Sequence, residues 1–161
     1  KCFVNMGKPI FEWTQIPLSK KVESQIIKID QFELYCLSMG NPHGVIFFEN
    51  ENDLDKVNIE SIGTKIQSND IFPESINVEF ATILKDKTIR MQVWERGAGK
   101  TLACGSGACA TLVAAQKKNL SQRKNDIILD GGKLTINWLD SEDIIMSGEV
   151  NLVFKGYFYC D

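Results

Sequence analysis

Short β-rich runs, some of them alternating apolar and polar residues with a period of two, recur between breakers along this chain and predict strands. Residues 2–6 alternate and stop at Gly7, after which Lys8-Pro9 turns the chain towards Phe11 and Trp13. The β-rich runs 25–29 and 32–39 flank Asp30-Gln31, which predicts a hairpin. A breaker cluster, Gly40-Asn41-Pro42-His43-Gly44, precedes a strand over 45–48, and the acidic stretch 49–55 reads as a solvated loop. Phe72-Pro73-Glu74 resets the chain before strands over 76–84 and 89–94, with Asp86-Lys87 turning between them. Runs 127–129 and 134–138 flank Gly131-Gly132, a hairpin signal, and 144–146 and 150–158 predict a strand-rich C-terminus.

Two stretches break the period. Ile59, Ile62 and Ile66 fall at helical spacing, so 57–66 predicts a surface helix despite its β-branching. The run 108–115 has no polar face before Gln116-Lys117-Lys118, and a helix apolar all round is buried. It is too short to cross a membrane. Two packings suit it: a helix enclosed by strands, or an ordinary helix on a sheet with a structural thiol. The expected fold is one α+β domain over 1–161, mostly antiparallel strands with one central buried helix and one surface helix.

Composition adds exclusions. The 161 residues are 43% hydrophobic and 24% charged, with a net charge of −3. No basic stripe suggests nucleic acid, and no apolar or amphipathic run suggests a membrane. Five cysteines, Cys2, Cys36, Cys104, Cys109 and Cys160, are odd in number and widely spread, as expected of reduced thiols in the cytoplasm. No metal is implied, because Cys104 and Cys109 lack a second ligand pair and His43 is the one histidine. The chain opens on Lys1 and runs directly into a strand, so a longer native chain is expected.

The chemistry concentrates in Glu95-Arg96-Gly97-Ala98-Gly99 and the loop that leads to Ala103-Cys104-Gly105-Ser106-Gly107-Ala108-Cys109-Ala110. Cys104 precedes a helix N-terminus, where free N–H groups and a partial positive charge favour a bound carboxylate and a thiolate. With Arg96 near it, Cys104 is expected to be reactive, solvent-open and lowered in pKa. Gly99-Lys100-Thr101 is no phosphate loop, since Trp94 stands where that pattern needs glycine. Gly105-Ser106-Gly107 is a poor dinucleotide fingerprint, because ten residues separate Trp94 from Gly105. Singly, the remaining candidates have plain readings: His43 as a loop histidine bonded to backbone, Glu95-Arg96 as a charge pair, Asn77 as a buried amide needing partners.

Together these motifs resemble the C-terminal half of the diaminopimelate epimerases. The likeness runs from Val4-Asn5-Met6-Gly7-Lys8-Pro9 through Gly40-Asn41-Pro42-His43, Phe72-Pro73-Glu74 and Asn77 to the Cys104 loop. It implies two similar α+β halves, each a strand-wrapped helix, closing over substrate. It further implies cofactor-independent interconversion of LL- and meso-diaminopimelate, for lysine and peptidoglycan precursor synthesis, by a thiolate and a thiol on opposite faces of the α-carbon. By that resemblance Cys104 is one of the two cysteines, and Glu95 and His43 tune the pair. Asn41, Asn77, Glu95, Arg96, Gly105 and Ser106 match substrate contacts. The half that carries the partner cysteine is missing, and Gly44 stands where the family often has cysteine. Proline racemase or phenazine-type isomerase chemistry stays open, as do a non-catalytic binding module and a homodimer.

Overall fold

The computed structural model describes residues 1–158, so Cys160 lies outside the described residues. Its strands are β1 (Cys2–Asn5), β2 (Ile26–Ile29), β3 (Phe32–Ser38), β4 (Pro42–Phe48), β5 (Asn77–Ile83), β6 (Ile89–Glu95), β7 (Gly99–Thr101), β8 (Lys124–Leu129), β9 (Gly132–Trp138) and β10 (Ile144–Gly148). Helices α1 (Glu51–Asp55) and α2 (Ile59–Gln67) lie between β4 and β5, and α3 (Gly105–Lys117) follows β7. All ten strands join one mixed sheet in the order β1-β10-β9-β8-β6-β5-β4-β3-β2, with β7 paired to β6. Most pairs are antiparallel; β4 with β5 and β6 with β8 are parallel.

The middle of the sheet is covered on both faces, which explains why β3, β4 and β5 are buried almost continuously. Tyr35, Leu37, Val45, Ala81, Met91 and Val93 face the core that contains α3. Their alternates Leu34, Cys36, Ile46, Val78 and Phe80 face a second core with Ile16, Leu54, Ile59 and Ile66. On the first face, every residue of α3 from Gly107 to Ala115 is buried, and the helix contacts β3 to β6 and β8 to β10. Small side chains allow that approach, while Leu112 and Val113 each contribute about 1.5–3 kcal/mol through burial. Lys117 closes the helix end and lies over the rings of Phe11 and Trp138.

Several sequence expectations need correction. Residues 49–55 are not all loop: Asn50 caps α1 by accepting the Asp53 N–H at 3.0 Å, and Leu54 seats the turn in the second core. Thus the second face carries two short helices, and α2 is half sunk, with Ile59, Gly63 and Ile66 buried. A side chain at Gly63 would meet Trp94, whose indole N–H donates to Gln67 Oε1 at 3.0 Å. Strand β4 starts at Pro42, so His43 is a strand residue and not a loop residue. No strand forms over 150–158, where the apolar side chains are exposed and no neighbouring strand supplies partners.

The second hairpin turns on Asp130-Gly131, one residue earlier than the glycine pair suggests. The reason is a close approach. The Gly131 N–H donates to the Leu102 carbonyl at 2.6 Å, and a Cβ there would sit 2.9 Å from that oxygen. This contact pins the segment that leads into Cys104.

Candidate active site

Cys104 is the N-cap of α3, with extended backbone (φ −136°, ψ 109°). Its sulfur takes the role a serine or aspartate oxygen usually plays, accepting the Gly107 N–H at 3.3 Å. The N–H groups of Gly105 and Ser106 fall in the first turn, where the helix itself offers no acceptor. A carboxylate placed there would meet two donors and the positive end of the helix.

The expected thiolate is not what this geometry favours. Cys104 is only 7% exposed, and its pKa is pushed up to about 11. Burial is the largest cause, followed by the negative charge of Glu79; Glu95 adds to it weakly. Hydrogen bonds from Ser106 and Gly107 work in the other direction and do not win. Arg96 does not offset this. Its side chain is exposed and its guanidinium donates to the Glu74 carbonyl at 3.0 Å. In this chain Cys104 is a covered thiol. Cys109, one turn deeper in α3, is pushed up further, to about 12, mainly by burial.

A continuous set of contacts runs from the thiol into the sheet. Cys104 Sγ lies 3.6 Å from Ser106 Oγ, which accepts from Asn41 Nδ2 at 3.3 Å. Asn41 Oδ1 is 3.0 Å from His43 Nε2, and His43 Nδ1 is 2.6 Å from Glu79 Oε1. His43 and Glu79 are both fully buried. The parallel pairing of β4 and β5 sets His43 opposite Asn77 and Val45 opposite Glu79. The period of two puts Asn77 and Glu79 on one face.

Asn77 joins the site differently. Its Nδ2 donates to the Pro42 carbonyl at 2.9 Å and its Oδ1 accepts the Arg96 N–H at 2.8 Å. The amide therefore clamps the start of β4 to the end of β6, the two places that hold Asn41-His43 and Glu95-Arg96. Glu95 itself receives the Thr101 hydroxyl across the β6–β7 pair. The structure thus assembles Cys104, Ser106, Asn41 and His43 by direct contact, brings Glu95 within the electrostatic reach of the thiol, and points Arg96 elsewhere.

Glu79 is the residue that sequence reasoning missed. The signal was available: a lone acid in Val78-Glu79-Phe80-Ala81, two positions from an amide already singled out. A groove of about 580 Å³ lies nearby, lined by Ala103, Leu129, Lys133, Thr135 and Ser147, but none of the site side chains opens into it.

The family described as diaminopimelate epimerase matches residues 35–153. The chain belongs to the diaminopimelate epimerase family. The diaminopimelate epimerase of Acidiphilium cryptum is 45% identical over 157 residues, covering 95% of this chain and 55% of the relative. That of Acetivibrio thermocellus is 42% identical, over 95% of this chain and 56% of the relative. That of Methanococcus maripaludis is 43% identical at the same coverages, 95% and 56%. The chain therefore spans little more than half the length of these diaminopimelate epimerases.

Two solved structures share the fold at low identity. A predicted epimerase from Pseudomonas aeruginosa superposes with TM-score 0.56 at 13% identity, covering 89% of this chain and 53% of that one. A hydroxyproline epimerase from Agrobacterium vitis, solved with bound trans-4-hydroxy-L-proline, gives TM-score 0.53 at 11% identity, covering 89% and 47%. These establish likeness of fold alone. Among the described residues no group of His, Cys, Asp and Glu is placed to hold a metal ion, and no helix is long and apolar enough to cross a membrane.

Proposed function

We propose that this chain is the C-terminal half of a cytoplasmic, cofactor-independent epimerase that interconverts LL- and meso-diaminopimelate, a step in lysine and peptidoglycan precursor synthesis. In this reading the strands wrap α3, as each half of the family does, and a second half covers the mouth of the site. The observation that carries it is Cys104 at the N-cap of α3, beside two free first-turn N–H groups, in a chain of this family. Exposed Phe3 and Val4 on edge strand β1, and Leu152, Val153 and Phe154 beyond β10, support a further apolar contact.

The chemistry follows from the thiol's protonation. An α-proton of an amino acid is a weak acid, so its removal needs a base on one face and charge stabilisation at the carboxylate. The N–H groups of Gly105 and Ser106 supply the second, holding the carboxylate as enolate charge develops. A thiolate from the other half takes the α-proton, and Cys104, held as a thiol, delivers its own proton to the opposite face. The centre inverts, Cys104 is left as thiolate, and the reverse reaction exchanges the two roles. Glu95 adjusts the thiol's proton affinity, Asn41 and Asn77 contact the substrate, and Arg96 joins them on leaving the Glu74 carbonyl.

The test joins this chain to the upstream half carried by its relatives and incubates it with LL-diaminopimelate in deuterium oxide. Epimerisation with deuterium at the α-carbon is expected. Substrate binding without exchange would make the protein a binding module, and exchange on proline alone would make it a racemase of another substrate.

A further inference from the structure

Glu79 has no part in the chemistry just described, and its position is costly for a residue with only a packing role. Its carboxyl is fully buried in β5, Oε1 contacts His43 Nδ1 at 2.6 Å, and Oε2 has no hydrogen-bond partner among the described residues. A buried, half-satisfied carboxyl group destabilises the fold. The space for it is kept open by Gly107, where a Cβ would come within 2.7 Å of Oε1. Glu79 lies on the α3 side of the sheet, as Cys104 does, and its charge raises the pKa of Cys104 and, from the other face, of Cys36.

Resting on the reading of Cys104 and His43 as site residues, we propose that Glu79 is a positioning residue: it holds the ring proton of His43 on Nδ1 and so aims Nε2, through Asn41 and Ser106, at the Cys104 thiol. Two arrangements of Asn41 satisfy the contacts. With Oδ1 towards Nε2 and Nδ2 towards Ser106, both ring nitrogens face oxygens, and with Glu79 as the carboxylate both carry hydrogen. With the amide turned over, Nδ2 donates to the free Nε2 of a neutral ring, and Ser106 donates to Oδ1. Nδ1 carries hydrogen and Glu79 accepts it in both. The carboxylate fixes the imidazole's rotation and proton position, which a neutral side chain does less firmly.

His43 is the one histidine of the sequence, so its ring nitrogens are assignable by ¹⁵N NMR without further variants. In the unmodified chain Nδ1 is expected to be protonated, with a strongly hydrogen-bonded, slowly exchanging proton. A neutral ring protonated on Nε2 alone overturns the proposal, and this needs no variant to fold. In Glu79→Gln the Nδ1 proton signal should weaken and the Nε2–H form gain; an unchanged ring pattern also overturns it. In the enzyme completed with its upstream half, Glu79→Gln should lower kcat roughly 10–100-fold with little change in KM, the scale seen when a group that orients a functional histidine is lost. Glu79→Asp, which keeps the charge at shorter reach, should recover part of it. Unaltered kcat in Glu79→Gln counts against the proposal. If the unmodified completed enzyme shows no epimerisation, the functional reading fails while the ring measurement still decides the role of Glu79.

Discussion

The side-chain oxygen of Asn77 accepts the backbone N–H of Arg96 at 2.8 Å while its amide nitrogen donates to the Pro42 carbonyl at 2.9 Å. One buried side chain thereby sets the spacing of the two strand ends that carry the site. Asn77→Ala leaves both backbone groups without these partners, at about 1–3 kcal/mol for each one that stays buried. The expected outcome is a fall in the urea midpoint with little change in slope. A midpoint within error of the unmodified chain would mean that water replaces the amide and the clamp is dispensable.

Gly107 is required by what surrounds it, not by its conformation. A Cβ there would lie 2.7 Å from Glu79 Oε1 and 3.1 Å from Cys104 Sγ. Alanine should gain about 1 kcal/mol in helix propensity, but forcing a methyl group into a packed site costs about 1–3 kcal/mol. We therefore expect Gly107→Ala to destabilise the chain. Gly105→Ala should be milder, because its Cβ would meet only the flexible end of Met146, with the sulfur at 3.1 Å. Equal or higher stability of Gly107→Ala in denaturant melts would show that Glu79 moves aside freely.

How much of this was legible in advance follows from which signals are local. Alternation and short β-rich runs between breakers located nine of the strands, because both are written into each segment; β7 is too short, at three residues, to show either. Helix α3 was readable because a run such as Ala108 to Ala115 has no polar face to leave outside. The state of Cys104 was not readable. Its pKa depends on burial and on Glu79, which lies 25 residues earlier and reaches the thiol only through the pairing of the sheet. A helix N-terminus argues for thiolate, and here desolvation outweighs it. Likewise, 150–158 is apolar and aromatic enough for a strand, yet a strand needs a partner edge and none is supplied by the described residues.

Glu95→Gln in the completed enzyme should reduce turnover more than substrate affinity. A carboxylate near the thiol acts on proton transfer, and contributions of that kind are roughly 10²–10⁴-fold. Glu95 also receives the Thr101 hydroxyl, so Thr101→Val should reproduce a fraction of the loss by freeing the carboxylate. A raised KM at constant kcat would reassign Glu95 to binding.

Alkaline pH should weaken the fold through its buried thiols. Cys104 and Cys109 are held at about 11 and about 12 in the folded chain, and Cys36 is raised beyond them, whereas unfolded thiols titrate near ~8.5. The folded state therefore binds these protons more tightly. Its stabilisation is complete below the unfolded value and is lost as pH rises through the folded ones. Each thiol contributes a slope of up to about 1.4 kcal/mol per pH unit between the two values. Cys109→Ala should flatten the fall in urea midpoint between about pH 9 and 11 by one thiol's share. An identical pH slope in the variant would mean that Cys109 titrates normally in the folded chain.

The same burial orders the thiols by reactivity. Cys2 is exposed on β1, Cys104 is 7% exposed at the cap of α3, and Cys36 and Cys109 are at 0%. Alkylation needs both access and thiolate, and the two rank these cysteines alike. Among the four described cysteines, limiting iodoacetamide near neutral pH should label Cys2 first and Cys104 a distant second, with Cys36 and Cys109 modified only as the chain opens. Covering the site with the upstream half should slow Cys104 further, with an added small thiol reporting any general loss of reagent. Unfolding in urea should bring the four rates together, since the order comes from the fold and not from local sequence. Peptide mapping by mass spectrometry reads each rate separately. Labelling of Cys109 at or above the rate of Cys104 in the folded chain would place the accessible thiol inside α3 and remove Cys104 from the site.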